Sequence, residues 1–140
     1  MKMNPVVHFE MPYEDKDRMV NFYSQAFGWQ AQMLGSDMGN YVVVTTTEGD
    51  EKTKRPKEPG AINGGFYKKP NDPDGQYPSV VIAVEDIHEA IKMVKESGGK
   101  VIGGQKKNGE PDNIPGVGMY ASIIDTEGNR ISLLQPSPVM

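Results

Sequence analysis

The chain of 140 residues contains no cysteine. That absence excludes disulfides, thiol nucleophiles and thiolate metal sites at once. No apolar run approaches the ~20 residues needed to span a bilayer. The opening MKMNPVVHFEM meets charge too soon to hold a signal-peptide apolar region. A basic stripe is also lacking: 15 Lys and Arg stand against 19 Asp and Glu, a net charge of −4. Nucleic acid is therefore not an expected partner, because phosphates need cationic neutralisation. Nor is a membrane surface, since the stretch from His88 to Lys95 is short and polar on its outer face. No G-x-S-x-G elbow supports the hydrolase triad that His8, Ser79 and Ser132 invite. Gly116-x-Gly118 lacks the third glycine and the following helix of a dinucleotide fingerprint. These exclusions leave a cytoplasmic globular protein as the expectation.

What is present is ordinary in bulk and specific in pattern. Apolar residues make up 36% and charged residues 24%, which is globular rather than disordered composition. A chain of this length buries roughly 70% of its unfolded surface, enough for one domain over residues 1–140. The strand-like VVHFEM (6–11) runs into the helix-like DKDRMVNFYSQAFG (15–28). Downstream, SVVIAV (79–84) runs into DIHEAIKMVKESGG (86–99). A shift of 71 places Asp15 on Asp86, Val20 on Ile91, Tyr23 on Val94 and Gly28 on Gly99. Similar units half a chain apart are an internal repeat.

Each unit reads as strand, helix, then three strands. Module one covers about 4–68 and module two about 78–136. The first strand, 5–11, sets Val6, His8 and Glu10 on one face and Val7, Phe9 and Met11 on the other. Asp15 is a plausible N-cap and Gly28 a natural stop. Met19, Phe22, Tyr23, Ala26 and Phe27 form a helical stripe predicted to face a sheet. Strands near 29–34, 40–46 and 61–67 complete the module. The charged, proline-bearing stretch 48–60 reads as a solvated, mobile loop. After the turn-rich linker 68–78, module two sets a strand at 79–84 and a helix from the Asp86 cap to Gly98. Its further strands fall near 100–104, 117–124 and 130–135. Ile87, Ala90, Ile91 and Val94 stripe that helix. The loop 105–118 is long enough to be a candidate lid, and Thr126-Glu127-Gly128-Asn129 is a tight turn.

These blocks, together with DTEGNRISLLQP (125–136), resemble the vicinal oxygen chelate superfamily of glyoxalases, bleomycin-resistance proteins and dioxygenases. The likeness is nearest to its small stand-alone members related to lactoylglutathione lyase. It implies an α+β fold of two tandem βαβββ modules whose mixed, curved sheets form a cleft. It also implies His or Glu metal ligands on the first and last strands of each module. Those ligands hold a divalent ion that stabilises an enolate or oxyanion. His8 occupies the first-strand position, seven residues before Asp15. The equivalent in module two is Ser79, seven before Asp86. The last-strand position is Ser132 in module two, and module one offers only Asn63, Gly64, Gly65 and Phe66. One good ligand of four cannot hold an ion that needs three or four. No cofactor is expected, and a divalent metal is disfavoured unless Glu10, on the His8 face, rescues the site.

The residues leave His8 with two readings. One is a half-buried histidine left over from a metal-binding ancestor. The other is a base or anchor, its pKa raised from ~6.5 by Glu10. Candidate ligand-binding residues are His8, Glu10, Tyr41, Ser79, Tyr120 and Ser132, with His8 and Glu10 the catalytic candidates. Tyr120 and Ser122 share a strand face, as do Arg130, Ser132 and Leu134. Trp29, Tyr41, Phe66 and Tyr77 are available as aromatic walls, although such aromatics are commonly core. His88 is read as solvated. Three functions remain: a metal-dependent lyase, isomerase or dioxygenase, a metal-free sequestering protein, and a metal-free acid–base enzyme. Fold alone does not choose among them. A small-molecule ligand and a homodimer are the expected partners, the latter through exposed sheet edges.

Overall fold

The computed structural model describes residues 2–138. Among these it contains nine strands and two α-helices, the α+β class expected. The chain divides into two compact units, His8–Pro78 and the segment from Ser79 onward. The first residues, through Val7, belong with the second unit. Pro5 shows why: its carbonyl accepts from Ala83 N–H at 2.9 Å. No helix among the described residues is long and apolar enough to cross a membrane.

The first unit contains β1 (Val6–Tyr13) from His8 onward, α1 (Lys16–Phe27), β2 (Gln30–Met33), β3 (Val42–Thr45) and β4 (Asn63–Lys68). Its strand order is β2-β3-β4-β1. β1 and β4 run parallel, with His8 opposite Asn63 and Glu10 opposite Gly65. The other two ladders are antiparallel. Asp15 caps α1, its carboxylate accepting from Arg18 N–H at 3.0 Å. Gly28 ends the helix at φ 74°, a left-handed conformation that favours glycine.

The second unit contains β5 (Ser79–Ala83), α2 (Ile87–Glu96), β6 (Lys100–Gly103), β7 (Asp112–Ile114), β8 (Gly118–Ile124) and β9 (Arg130–Pro136). Its order is β5-β9-β8-β6, with β7 also paired to β8. Asp86 accepts from both His88 N–H and Glu89 N–H. α2 closes at Ser97, ahead of the Gly98 stop. Asp125 ties the turn before β9 by accepting from the N–H groups of Glu127 and Asn129.

Each unit has its own core. Tyr13, Val42, Val44 and Phe66 are buried in the first, with Phe9, Met11, Met19, Val20, Tyr23 and Trp29 packed on them. Val84, Ile87, Ile91, Ala121, Ile123 and Leu133 form the second. Removing each large apolar side chain from water contributes about 1.5–3 kcal/mol.

Three expectations need correction. The α1 stripe does not all face the sheet: Met19 and Tyr23 pack inward, but Phe22 is 57% and Phe27 63% exposed. Phe22 and Phe27 instead lie on the outer side of the helix, in ring contact with Tyr23, while Trp29 stacks on Tyr23 at 4.7 Å and 12° and packs on the core. The stretch 48–60 is solvent-exposed, as expected, but it is folded into a small hairpin, with Gly49 bridged to Pro56. Asp50 N–H donates to the Arg55 carbonyl, and the Asp50 carboxylate accepts from Lys52 and Thr53 N–H. The stretch 105–118 is not a free loop either. β7 is laddered to β8, and Asp112 accepts from Gln105 N–H at 2.7 Å.

Candidate functional site

Strand alternation brings His8 and Glu10 to the same face of β1, and Tyr41 reaches them from the residue before β3. The Tyr41 hydroxyl donates to Glu10 Oε2 at 3.0 Å. His8 Nε2 lies 3.2 Å from the same phenol oxygen. All three residues are half-buried. The arrangement depends on Gly65, which sits opposite Glu10 on β4. A Cβ at Gly65 would overlap the Tyr41 ring, and one at Gly64 would overlap the Phe9 ring. Adjacent glycines thus admit an aromatic ring on each face of the strand. Asn63-Gly64-Gly65-Phe66 carries no carboxylate, but its paired glycines are informative in themselves. Glycine inside a strand signals close approach of another group, and that signal was available.

The His8 pKa departs from the expected direction. Glu10 does pull it up, but burial disfavours the imidazolium more strongly, and the net shift is downward from 6.5. His8 is therefore neutral at neutral pH.

The remaining site residues lie in the second unit. Ser132 is buried on β9 and Ser122 is buried opposite it on β8. The Tyr120 hydroxyl is 2.5 Å from Ser132 Oγ, and Arg130 Nη2 donates to Ser122 Oγ at 3.2 Å. Ser79 opens β5, two residues before Val81, the register partner of Ser132. The structure thus joins His8 with Glu10 and Tyr41, and Tyr120 with Ser132. Of the suggested aromatic walls, Trp29 and Phe66 are core, while Tyr77 is 70% exposed. His88 is exposed, as expected. An open groove in the first unit, lined by Tyr13, Glu14, Lys68, Lys69 and Gln76 among others, includes none of the predicted residues.

His8 and Glu10 are two ligand-type side chains, and both engage one phenol. Among the described residues no group of three His, Asp or Glu side chains converges as a metal cage would require. Two donors fall short of the three or four protein ligands of a stable divalent site.

Residues 6–47 match the family described as bleomycin resistance protein-like N-terminal. The fold of the whole chain is shared with known structures. A hypothetical protein from Bacillus halodurans C-125 superposes with a TM-score of 0.68 at 16% identity, covering 99% of each chain. A Streptomyces coelicolor methylmalonyl-CoA epimerase variant, in complex with 2-nitronate-propionyl-CoA, has a TM-score of 0.66 at 14% identity, covering 99% of this chain and 98% of its own. Together these support a member of the vicinal oxygen chelate superfamily. A methylmalonyl-CoA epimerase from Mycobacterium tuberculosis superposes on this chain with a TM-score of 0.59 at 15% identity, covering 95% of this chain and 88% of its own. No curated protein matches the chain in sequence.

Proposed function

We propose that this is a glyoxalase/bleomycin-resistance-like protein that binds a small molecule at the polar face of β1, without a resident metal. One observation carries the reading: the Tyr41 hydroxyl engages both ligand-type side chains, His8 and Glu10. A metal competing for them has to displace the phenol and still lacks a third protein donor. A binding protein needs only a concave surface with a few polar anchors. The Glu10 carboxylate, lying beside a neutral imidazole and a phenol, favours a ligand carrying a cationic or N–H-rich group. A cytoplasmic location belongs to this reading as well.

The fold neighbours supply the contrasting probe, because two of the epimerase structures hold CoA ligands. Thermal shifts should be measured with bleomycin, methylmalonyl-CoA and free CoA, with and without EDTA. Stabilisation by the cationic ligand, unaffected by EDTA and lost in Glu10→Gln, supports the proposal. Retention of nearly one equivalent of Mn, Fe, Ni or Zn after dialysis overturns the metal-free reading and revives a lyase or dioxygenase.

A second reading is favoured by the neutral, hydrogen-bonded state of His8: metal-free acid–base chemistry with His8 and Glu10. It requires turnover that vanishes in His8→Ala while binding persists.

We also propose a homodimer. β2 closes one edge of its sheet, and its sequence QAQM is exposed and uncharged, whereas unpaired edges are normally guarded by charge. Sedimentation as a single species of monomer mass overturns this.

A further inference from the structure

We propose that Tyr41 is the positioning residue that fixes the tautomer of His8, holding its proton on Nε2 and leaving Nδ1 as the ring's acceptor. An ionised carboxylate can only accept, and a phenol carries one hydrogen. That hydrogen is directed at Glu10 Oε2. The phenol oxygen, 3.2 Å from His8 Nε2, is then an acceptor, and Nε2 must donate. A neutral imidazole has one N–H, so Nδ1 keeps its lone pair. The chain His8 Nε2–H to Tyr41 O–H to Glu10 runs in one direction only.

Tyr41 is itself held from several sides. Its carbonyl accepts from Leu34 N–H at 2.9 Å, and its N–H donates to the Met38 carbonyl. Its ring lies over the bare backbone of Gly65. In the resemblance to metal-binding relatives, the last strand of this module is where a ligand is expected. Here that strand provides space, and the phenol uses it to reach the first-strand histidine. A hydrogen bond that sets the histidine tautomer is the usual way proteins aim an imidazole. The consequence for recognition rests on the reading above: a ligand at Nδ1 has to offer a hydrogen, as an ammonium, hydroxyl or amide N–H.

The test needs no ligand, so its failure is distinct from a failed ligand screen. The full chain has two histidines, and the exposed His88 serves as an internal reference. Long-range proton–nitrogen NMR at pH 7.5 on 15N-labelled protein reads each tautomer. The expected result is a fully populated Nε2–H form of His8, with an Nε2–H proton that exchanges more slowly than that of His88. Tyr41→Phe should abolish that slow proton, and Tyr120→Phe should leave it unchanged. Gly65→Ala keeps the phenol but displaces it, and should mimic Tyr41→Phe. Tyr41→Phe alone decides if Gly65→Ala does not fold. An Nδ1–H form, a tautomer mixture equal to that of His88, or a slow proton surviving in Tyr41→Phe overturns the proposal.

Discussion

In the unit of β1–β4 the helix rests on aromatic rings, whereas in the unit of β5–β9 it rests on aliphatic side chains. α1 has no fully buried residue, and it touches its core through Met19, Val20 and Tyr23. α2 buries Ile87 and Ile91. The polar groups differ in the same pairwise way. In each unit a tyrosine phenol engages the residue at a family ligand position: Tyr41 with His8, and Tyr120 with Ser132. In the first unit the pair includes an imidazole and a neighbouring carboxylate, so it can change charge. In the second it is two hydroxyls. One scaffold, repeated, thus separates a site with an imidazole and a carboxylate from one that pairs two hydroxyls.

The largest expected effect tests the helix contrast. Ile87 is fully buried, and Ile87→Ala should cost about 2–5 kcal/mol through lost transfer energy and a cavity. Denaturant unfolding measures it. A cost below 1 kcal/mol would mean that α2 is no better anchored than α1, and the contrast would fail.

Next come the caps. Asp86 accepts from two backbone N–H groups and Asp15 from one. Ala at either position should cost about 0.5–2 kcal/mol, with Asp86→Ala the greater. Equal losses would show that the second acceptor contact adds nothing.

The pH response distinguishes the sites. Burial holds the folded His8 pKa below 6.5, so between the folded value and 6.5 the unfolded chain binds more protons. The stability His8 contributes is therefore complete above pH 6.5 and is lost as pH falls toward the folded pKa. Melting temperature measured from pH 7.5 to 5.5 should fall more steeply for wild type than for His8→Gln. Parallel curves would remove the titratable character assigned to the first unit.

Most of the scaffold is legible in the sequence because local rules and packing agree there. Asp15, Gly28 and Asp86 announce helix ends through backbone groups needing partners, and the α2 stripe has one apolar face. Legibility fails where long-range packing decides. The α1 stripe reads as one apolar face, and nothing local says that Trp29 joins Tyr23 on the core while Phe22 and Phe27 stay exposed. β7 has only three residues, Asp112–Ile114, too few for a periodic signal. His8 and Glu10 were legible from alternation along one strand. The phenol linking them comes from 31 residues beyond Glu10, and the net direction of the His8 shift depends on burial, which spacing does not encode.

The smallest effect expected is at the outer rings of α1. Phe22 contacts Tyr23 edge-on at 5.0 Å and Phe27 at 6.3 Å. Such pairs contribute about 0.5–1.5 kcal/mol when well packed, but Phe22 is mostly exposed. Alanine is also the better helix former by roughly 0.5 kcal/mol. These terms oppose each other, so Phe22→Ala should change stability by no more than about 0.5 kcal/mol, as surface substitutions usually do. The measurement is most informative at two protein concentrations. A loss that grows on dilution would mean that a second copy covers the ring, making α1 part of the proposed dimer. A loss of several kcal/mol independent of concentration would mean that Phe22 is core, and the contrast between the two helices would collapse.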